Sequence, residues 1–152
     1  MELILWRHAE AEDGTGDDMA RALTRRGHKQ AKLMAAWLRP RLGNDWKILS
    51  SPAKRALQTA EALERHLEIR ERLDTSCGPA DVLRESGWPD AKGSVMVVGH
   101  QPTLGQVAAQ LLGVPGDVAF RKGAVWWFST RQRDGGGETV LKAVLNPDLL
   151  ED

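Results

Sequence analysis

Leu3-Ile4-Leu5-Trp6 is apolar at four successive positions and then breaks off in Arg7-His8. An unbroken apolar run suits a strand covered on both faces, as in the middle of a parallel sheet, whereas a strand with one wet face alternates. A second run, Val95-Met96-Val97-Val98, breaks off in the same way at Gly99-His100. Strands of this kind point to a layered α/β architecture, in which ligands bind beyond the carboxyl ends of the strands. Both histidines fall there. The first eight residues therefore read as a strand leading into a phosphate-handling site.

The rest of the chain fits that frame. Residues 9–22 are polar and contain glycine without a clear period, as expected of a loop beside the site. Thr24 is a candidate N-cap for a helix with Ala31, Met34, Ala35 and Leu38 on its apolar face, stopped by Pro40 and Gly43-Asn44. Residues 46–50 read as a short strand. Ser51-Pro52 then predicts a capped helix over Pro52–His66, with Ala56, Leu57, Ala60 and Leu63 inward and Arg55 in the first turn. A short strand is expected near Ile69–Leu73 and a short helix over Asp81–Ser86. Pro102-Thr103 opens a helix with Leu104, Val107, Ala108, Leu111 and Leu112 buried. Residues 124–129 and 139–145 read as strands around the turn signal Asp134-Gly135-Gly136-Gly137. Trp126 and Trp127 should face opposite sides of their strand. The polar end, Asn146–Asp152, should fray. The predicted fold is one domain over residues 1–152, a three-layer α/β/α sandwich with a mostly parallel sheet and one antiparallel strand late in the chain.

Charge narrows the function. Lys plus Arg and Asp plus Glu each number 21 in a chain of 152 residues, so the formal net charge is zero. Nucleic-acid and membrane-surface binders need a basic excess, so neither partner is expected. Cys77 stands alone, and the four histidines lack metal-ligand spacing; no metal or other cofactor is expected. No signal peptide or membrane-spanning run is visible, and a soluble cytoplasmic protein is the expectation.

Three strand ends carry the chemistry: Arg7-His8, Ser50-Ser51 leading to Arg55, and Gly99-His100. In a parallel sheet these ends share one edge, so two arginines and two histidines converge. Arginine grips a phosphoryl group through a planar fork of donors, and a neutral histidine can attack phosphorus. Arg55 near a helix start is slightly unfavourable as a surface residue, which favours a functional reading.

These residues resemble a known family. Arg7-His8-Ala9 is similar to the Arg-His-Gly signature of the histidine phosphatase superfamily, the phosphoglycerate-mutase-like proteins. Leu23-Thr24-x-x-Gly27-x-x-Gln30-Ala31 resembles its first-helix motif. Ser50-Ser51-Pro52-x-x-Arg55-Ala56-x-x-Thr59-Ala60 resembles its second-arginine motif, and Val97-Val98-Gly99-His100-Gln101-Pro102 its second-histidine motif. The length and the Arg21-Ala22-Leu23-Thr24 stretch are similar to the small bacterial phosphohistidine phosphatases. The resemblance implies a phosphoglycerate-mutase-like fold, His8 as the nucleophile that becomes phosphorylated, and Arg7, Arg55 and His100 as the holders of the phosphoryl group. Arg21 would add a substrate contact.

The pattern departs from the family in Ala9 and in lacking a clear catalytic acid. Asp74, Asp81 and Glu85 lie in the right region, and Asp81 is the candidate, although an ordinary helix-start role competes. A phosphomonoester needs a protonated leaving group, while a phosphoramidate is more labile. The expected substrate is therefore a phosphohistidine-bearing protein. Two alternatives stand beside it: a small-molecule phosphomonoesterase acting on a sugar or nucleotide phosphate, and a non-catalytic phosphate-binding module.

Overall fold

The computed structural model describes residues 1–14 and 16–151. In chain order the elements are β1 (Glu2–Arg7), α1 (Arg25–Leu38), β2 (Trp46–Ser50), α2 (Lys54–Glu61), β3 (Glu68–Ile69), α3 (Pro79–Ser86), β4 (Ser94–Gly99), α4 (Thr103–Leu112), β5 (Val125–Arg133) and β6 (Gly136–Leu145), with single 3-10 turns between some of them. The six strands form one sheet in the order β3-β2-β4-β1-β5-β6. β3, β2, β4 and β1 run parallel, β5 runs antiparallel to β1, and β6, antiparallel to β5, returns to the direction of β1. The late antiparallel strand expected from the sequence is β5, and the turn signal at Asp134-Gly135 joins it to β6 in a hairpin that extends the sheet past β1.

The two apolar runs form the central pair, β4 and β1, in register from Glu2 opposite Ser94 to Arg7 opposite Gly99. Each is covered on both faces. Ile4, Trp6, Ile48, Met96 and Val98 pack with Met34 and Leu38 of α1 and Ala56 and Ala60 of α2. Leu3, Leu5, Leu49, Val95 and Val97 pack on the other side with Val82 of α3 and Leu104 and Val107 of α4. Burying each such side chain contributes about 1.5–3 kcal/mol. The result is a mixed α/β fold of three layers. Trp126 and Trp127 do point to opposite faces. No helix among the described residues is long and apolar enough to cross a membrane.

Several elements differ from expectation. α2 begins at Lys54 with Ala53 as its N-cap, so Ser51 and Pro52 lie outside it. A residue before proline is pushed out of the helical region, and the Ser51 hydroxyl is committed elsewhere. The helix ends at Glu61 because the next turn tightens and Glu64 adopts a left-handed conformation, φ 57°. Leu63 keeps its buried place from outside the helix, and Leu57 is only half-buried. The strand expected at Ile69–Leu73 is two residues, Glu68–Ile69, followed by a 3-10 turn. α3 starts at Pro79, two residues early. Leu112 is exposed. The expected frayed end is instead docked: Pro147 is buried beside Gly123 and Gln30, and Leu150 packs on the α1 side of the core. Asp152 lies outside the described residues, as does Thr15 of the site loop.

Candidate active site

β2, β4 and β1 are neighbours and parallel, so their carboxyl ends meet on one edge. That edge carries Arg7 and His8 after β1, Ser51 and Arg55 after β2, and His100 after β4. His8 and His100 are buried, with ring centroids 5.3 Å apart.

The backbone fixes His8. Its N–H donates to Gly99 O and its carbonyl accepts from Gly123 N, both at 3.0 Å. Its ring Nδ1 lies 2.7 Å from the Ala9 carbonyl. A carbonyl only accepts, so Nδ1 must carry the proton and Nε2 keeps its lone pair. Burial pushes the His8 pKa down to about 3; the Ala9 hydrogen bond opposes this, and His100, Arg55 and Arg7 add to it. The imidazole is therefore neutral near pH 7, with the Nε2 lone pair available. Thr59 holds the preceding peptide of the same residue: its Oγ1 accepts from Ala9 N at 3.0 Å and donates to Arg55 O at 2.8 Å.

The loop after His8 is pinned to α1. The Thr24 hydroxyl accepts from Gly27 N at 2.9 Å and donates to the Glu10 carboxylate at 2.8 Å, while Thr24 N donates to Glu10 O at 3.0 Å. A Cβ at Gly27 would overlap the Glu10 carbonyl. The first-helix motif thus sets how closely α1 approaches the strand end.

Each cation is anchored at one end of its guanidinium. Arg7 Nη1 donates to Phe120 O at 2.8 Å. Arg55 donates from Nη1 to Asp18 O at 2.7 Å and from Nη2 to Asp18 Oδ2 at 3.1 Å. Asp18 also accepts from Arg21 Nε at 3.0 Å, and Arg21 Nη1 donates to Glu12 O at the same distance. The Arg55 hydrogen bond holds the Asp18 carboxyl below its ordinary range. Burial lowers Arg7 as well, yet an arginine keeps its charge. Burial, then Arg55, pushes His100 down to about 4, against opposing pulls from Asp18 and Asp74.

Three buried side-chain nitrogens among the described residues have no hydrogen-bond partner: Arg7 Nε, Arg55 Nε and His100 Nδ1. Buried polar groups are nearly always paired, so orphans concentrated at one edge mark a place built for an acceptor. All three belong to residues singled out from the sequence. Arg21 sits one step away, on the far side of Asp18. Asp81 lies in the first turn of α3, where Oδ2 accepts from Gly78 N at 2.9 Å and Oδ1 from Arg84 Nη1 at 3.2 Å. The described residues contain no cluster of metal-ligating side chains.

Sequence reasoning placed Asp18, Ser51 and Thr59 near the site and missed what each of them bonds. Asp18 was one of five acids in a loop without period. Ser51 read as a cap. Thr59 lies one turn after Arg55 on the face of α2 that also buries Ala56 and Ala60, and a polar pair on a buried helical face was the available signal.

Residues 3–88 match the model of the histidine phosphatase superfamily, branch 1. A phosphohistidine phosphatase SixA homolog from Haemophilus influenzae is 34% identical over 141 residues, spanning 79% of this chain and 82% of that protein. Phosphohistidine phosphatase SixA from Escherichia coli is 29% identical over 119 residues, 73% of this chain and 74% of its own. A solved structure of the protein histidine phosphatase SixA complexed with tungstate superposes with a TM-score of 0.77 at 26% identity, over 99% of this chain and 100% of that one.

Proposed function

The chain belongs to the histidine phosphatase superfamily, and from that premise we propose that it is a phosphatase that hydrolyses phosphohistidine on a protein through a phosphoenzyme at His8. The observation that carries this reading is the trio of partnerless nitrogens, Arg7 Nε, Arg55 Nε and His100 Nδ1, beside a neutral His8 whose Nε2 is free to attack.

His8 Nε2 forms a bond to phosphorus as the bond from phosphorus to the substrate nitrogen breaks. The leaving imidazole takes its proton from solvent. Water then attacks the phosphoenzyme, and inorganic phosphate leaves. Arg7, Arg55 and His100 donate to the phosphoryl oxygens throughout, where charge builds in the transition state. The Ala9 carbonyl keeps a proton on Nδ1, so the phosphorylated ring is drawn toward its cationic form and leaves readily in the second step. Arg21 contributes at one remove, by holding Asp18 beside Arg55.

The substrate follows from the missing acid. Asp81 is occupied at both oxygens, Asp74 Oδ1 accepts from Ser76 N and Oγ, and Glu85 pairs with Arg70 at 3.6 Å. A leaving imidazole needs no buried acid, whereas an alkoxide does. The named activities of the relatives from Haemophilus influenzae and Escherichia coli support the same substrate class. In this reading the enzyme works in the cytoplasm. The test compares hydrolysis of a phosphohistidine-bearing protein domain with that of an aryl phosphate, with His8→Ala as the blank and a chelator added to one arm. Preference for the phosphohistidine protein, loss in His8→Ala and indifference to the chelator are expected. Preference for the ester would move the substrate to a small phosphomonoester, and turnover by His8→Ala would overturn the mechanism.

A further inference from the structure

The proton on His8 is placed by a carbonyl. His100 has no such partner, and which of its nitrogens is protonated decides whether Nδ1 can donate to an anion at all. Its Nε2 lies 2.7 Å from Ser51 Oγ. Ser51 is fully buried, and Ala53 N donates to the same hydroxyl at 3.1 Å. The hydroxyl oxygen is thereby already used as an acceptor, while its hydrogen has one partner within reach, His100 Nε2. If Nε2 donated instead, the Ser51 hydrogen would be buried without an acceptor, and Nδ1 would be a buried lone pair without a donor, two unpaired groups in place of one. The opposite assignment leaves one unpaired group, an Nδ1–H donor, beside the nucleophile.

We infer that Ser51 is a positioning residue: by donating to His100 Nε2 it holds His100 as the Nδ1–H tautomer, the form able to donate to a transferring phosphoryl oxygen. The inference rests on the phosphatase reading above for the purpose of that donor. The β2–α2 segment then prepares both histidines. Thr59 holds Ala9, whose carbonyl keeps the His8 proton on Nδ1, and Ser51 fixes the proton of His100 on Nδ1. One histidine presents a lone pair to phosphorus and the other a hydrogen to oxygen. It also explains why Ser51 stays outside α2: its hydroxyl turns back across the edge between β2 and β4 rather than capping along the helix.

Long-range proton–nitrogen spectra of the nitrogen-15-labelled chain test this directly. The wild-type His100 should show a protonated Nδ1 and an unprotonated, hydrogen-bond-accepting Nε2. Ser51→Ala should shift His100 toward the other tautomer and lower kcat on a phosphohistidine protein by about tenfold to a hundredfold, with a smaller change in KM. Ser51→Thr, which keeps the hydroxyl, should restore the wild-type spectrum and most of the rate. A protonated Nε2 in the wild type, an unchanged His100 spectrum in Ser51→Ala, or no restoration in Ser51→Thr would each overturn the inference. If Ser51→Ala does not fold, the wild-type spectrum decides alone. If the wild type fails to hydrolyse phosphohistidine, the functional reading falls while the spectrum still reports where the proton sits.

Discussion

Acidification should destabilise this protein through its two site histidines. Burial drives the His8 pKa to about 3 and that of His100 to about 4, while an unfolded histidine titrates near 6.5. Both folded values lie below the unfolded one, so the unfolded chain binds more protons in the interval between them. Stability is then fully present above about pH 6.5 and is lost as pH falls toward the folded values. At pH 5 each ring is still neutral in the folded state and mostly protonated in the unfolded one. Each therefore withdraws about 2 kcal/mol, or about 4 kcal/mol together, relative to pH 8. That figure depends on the unfolded value and hardly on how far below pH 5 the folded ones lie. For a chain of this size it corresponds to a fall of about 8–16 °C in Tm. The assay is urea or thermal unfolding at pH 8, 7, 6 and 5. His8→Asn retains a donor for the Ala9 carbonyl, and His100→Gln retains a polar group for Ser51. Each single variant should lose about half of the pH-dependent fall, and the double variant nearly all of it. A double variant that still loses the full amount between pH 8 and 5 would refute the reasoning, placing the titrating groups elsewhere.

Three further outcomes follow from the geometry. Thr59→Val removes the acceptor of Ala9 N–H and should cost about 1–3 kcal/mol of stability, read from the urea midpoint; kcat should fall more than KM rises, and Thr59→Ser should recover both. Asp18→Asn removes the carboxylate charge from Arg55 and should tighten competitive inhibition by inorganic phosphate about three- to tenfold, a modest effect because Asp18 is exposed to solvent; unchanged inhibition would mean that Asp18 does not compete for the fork. Gly27→Ala would gain about 1 kcal/mol in helix propensity, but the overlap with the Glu10 carbonyl should dominate, giving a net loss of about 1–3 kcal/mol in chemical unfolding.

What could be read from the chain is what a pattern of residue types encodes. The paired apolar runs announced the central strands, and their abrupt ends announced Arg7, His8 and His100, because burial on both faces forbids alternation. The stripe of α1 and its Thr24 cap were equally plain. Ser51 misled because Ser-Pro is a common helix start; only the three-dimensional neighbour, His100 from β4, reveals why the helix waits until Lys54. The docked end around Pro147 was invisible for a related reason, since one proline and a few leucines carry no period. Asp18 was hidden among other acids of its loop, and its partner, Arg55, comes from α2. In each case the deciding contact is long-range, and local propensity does not contain it.

The three partnerless nitrogens have a consequence for the resting protein that reaches beyond turnover. For each the fold itself supplies no partner, and an unpaired buried polar group weighs on a stability that is small to begin with. Any oxyanion that settles there repays the deficit, and mass action then adds about 2.7 kcal/mol when the anion is present at a hundred times its Kd. Orthophosphate, the product of the proposed reaction, would then also act as a folding ligand. A cell rich in phosphate would keep more of this enzyme intact while occupying more of its sites, so its persistence and its idleness rise together, and phosphate starvation would leave the chain active and easier to degrade.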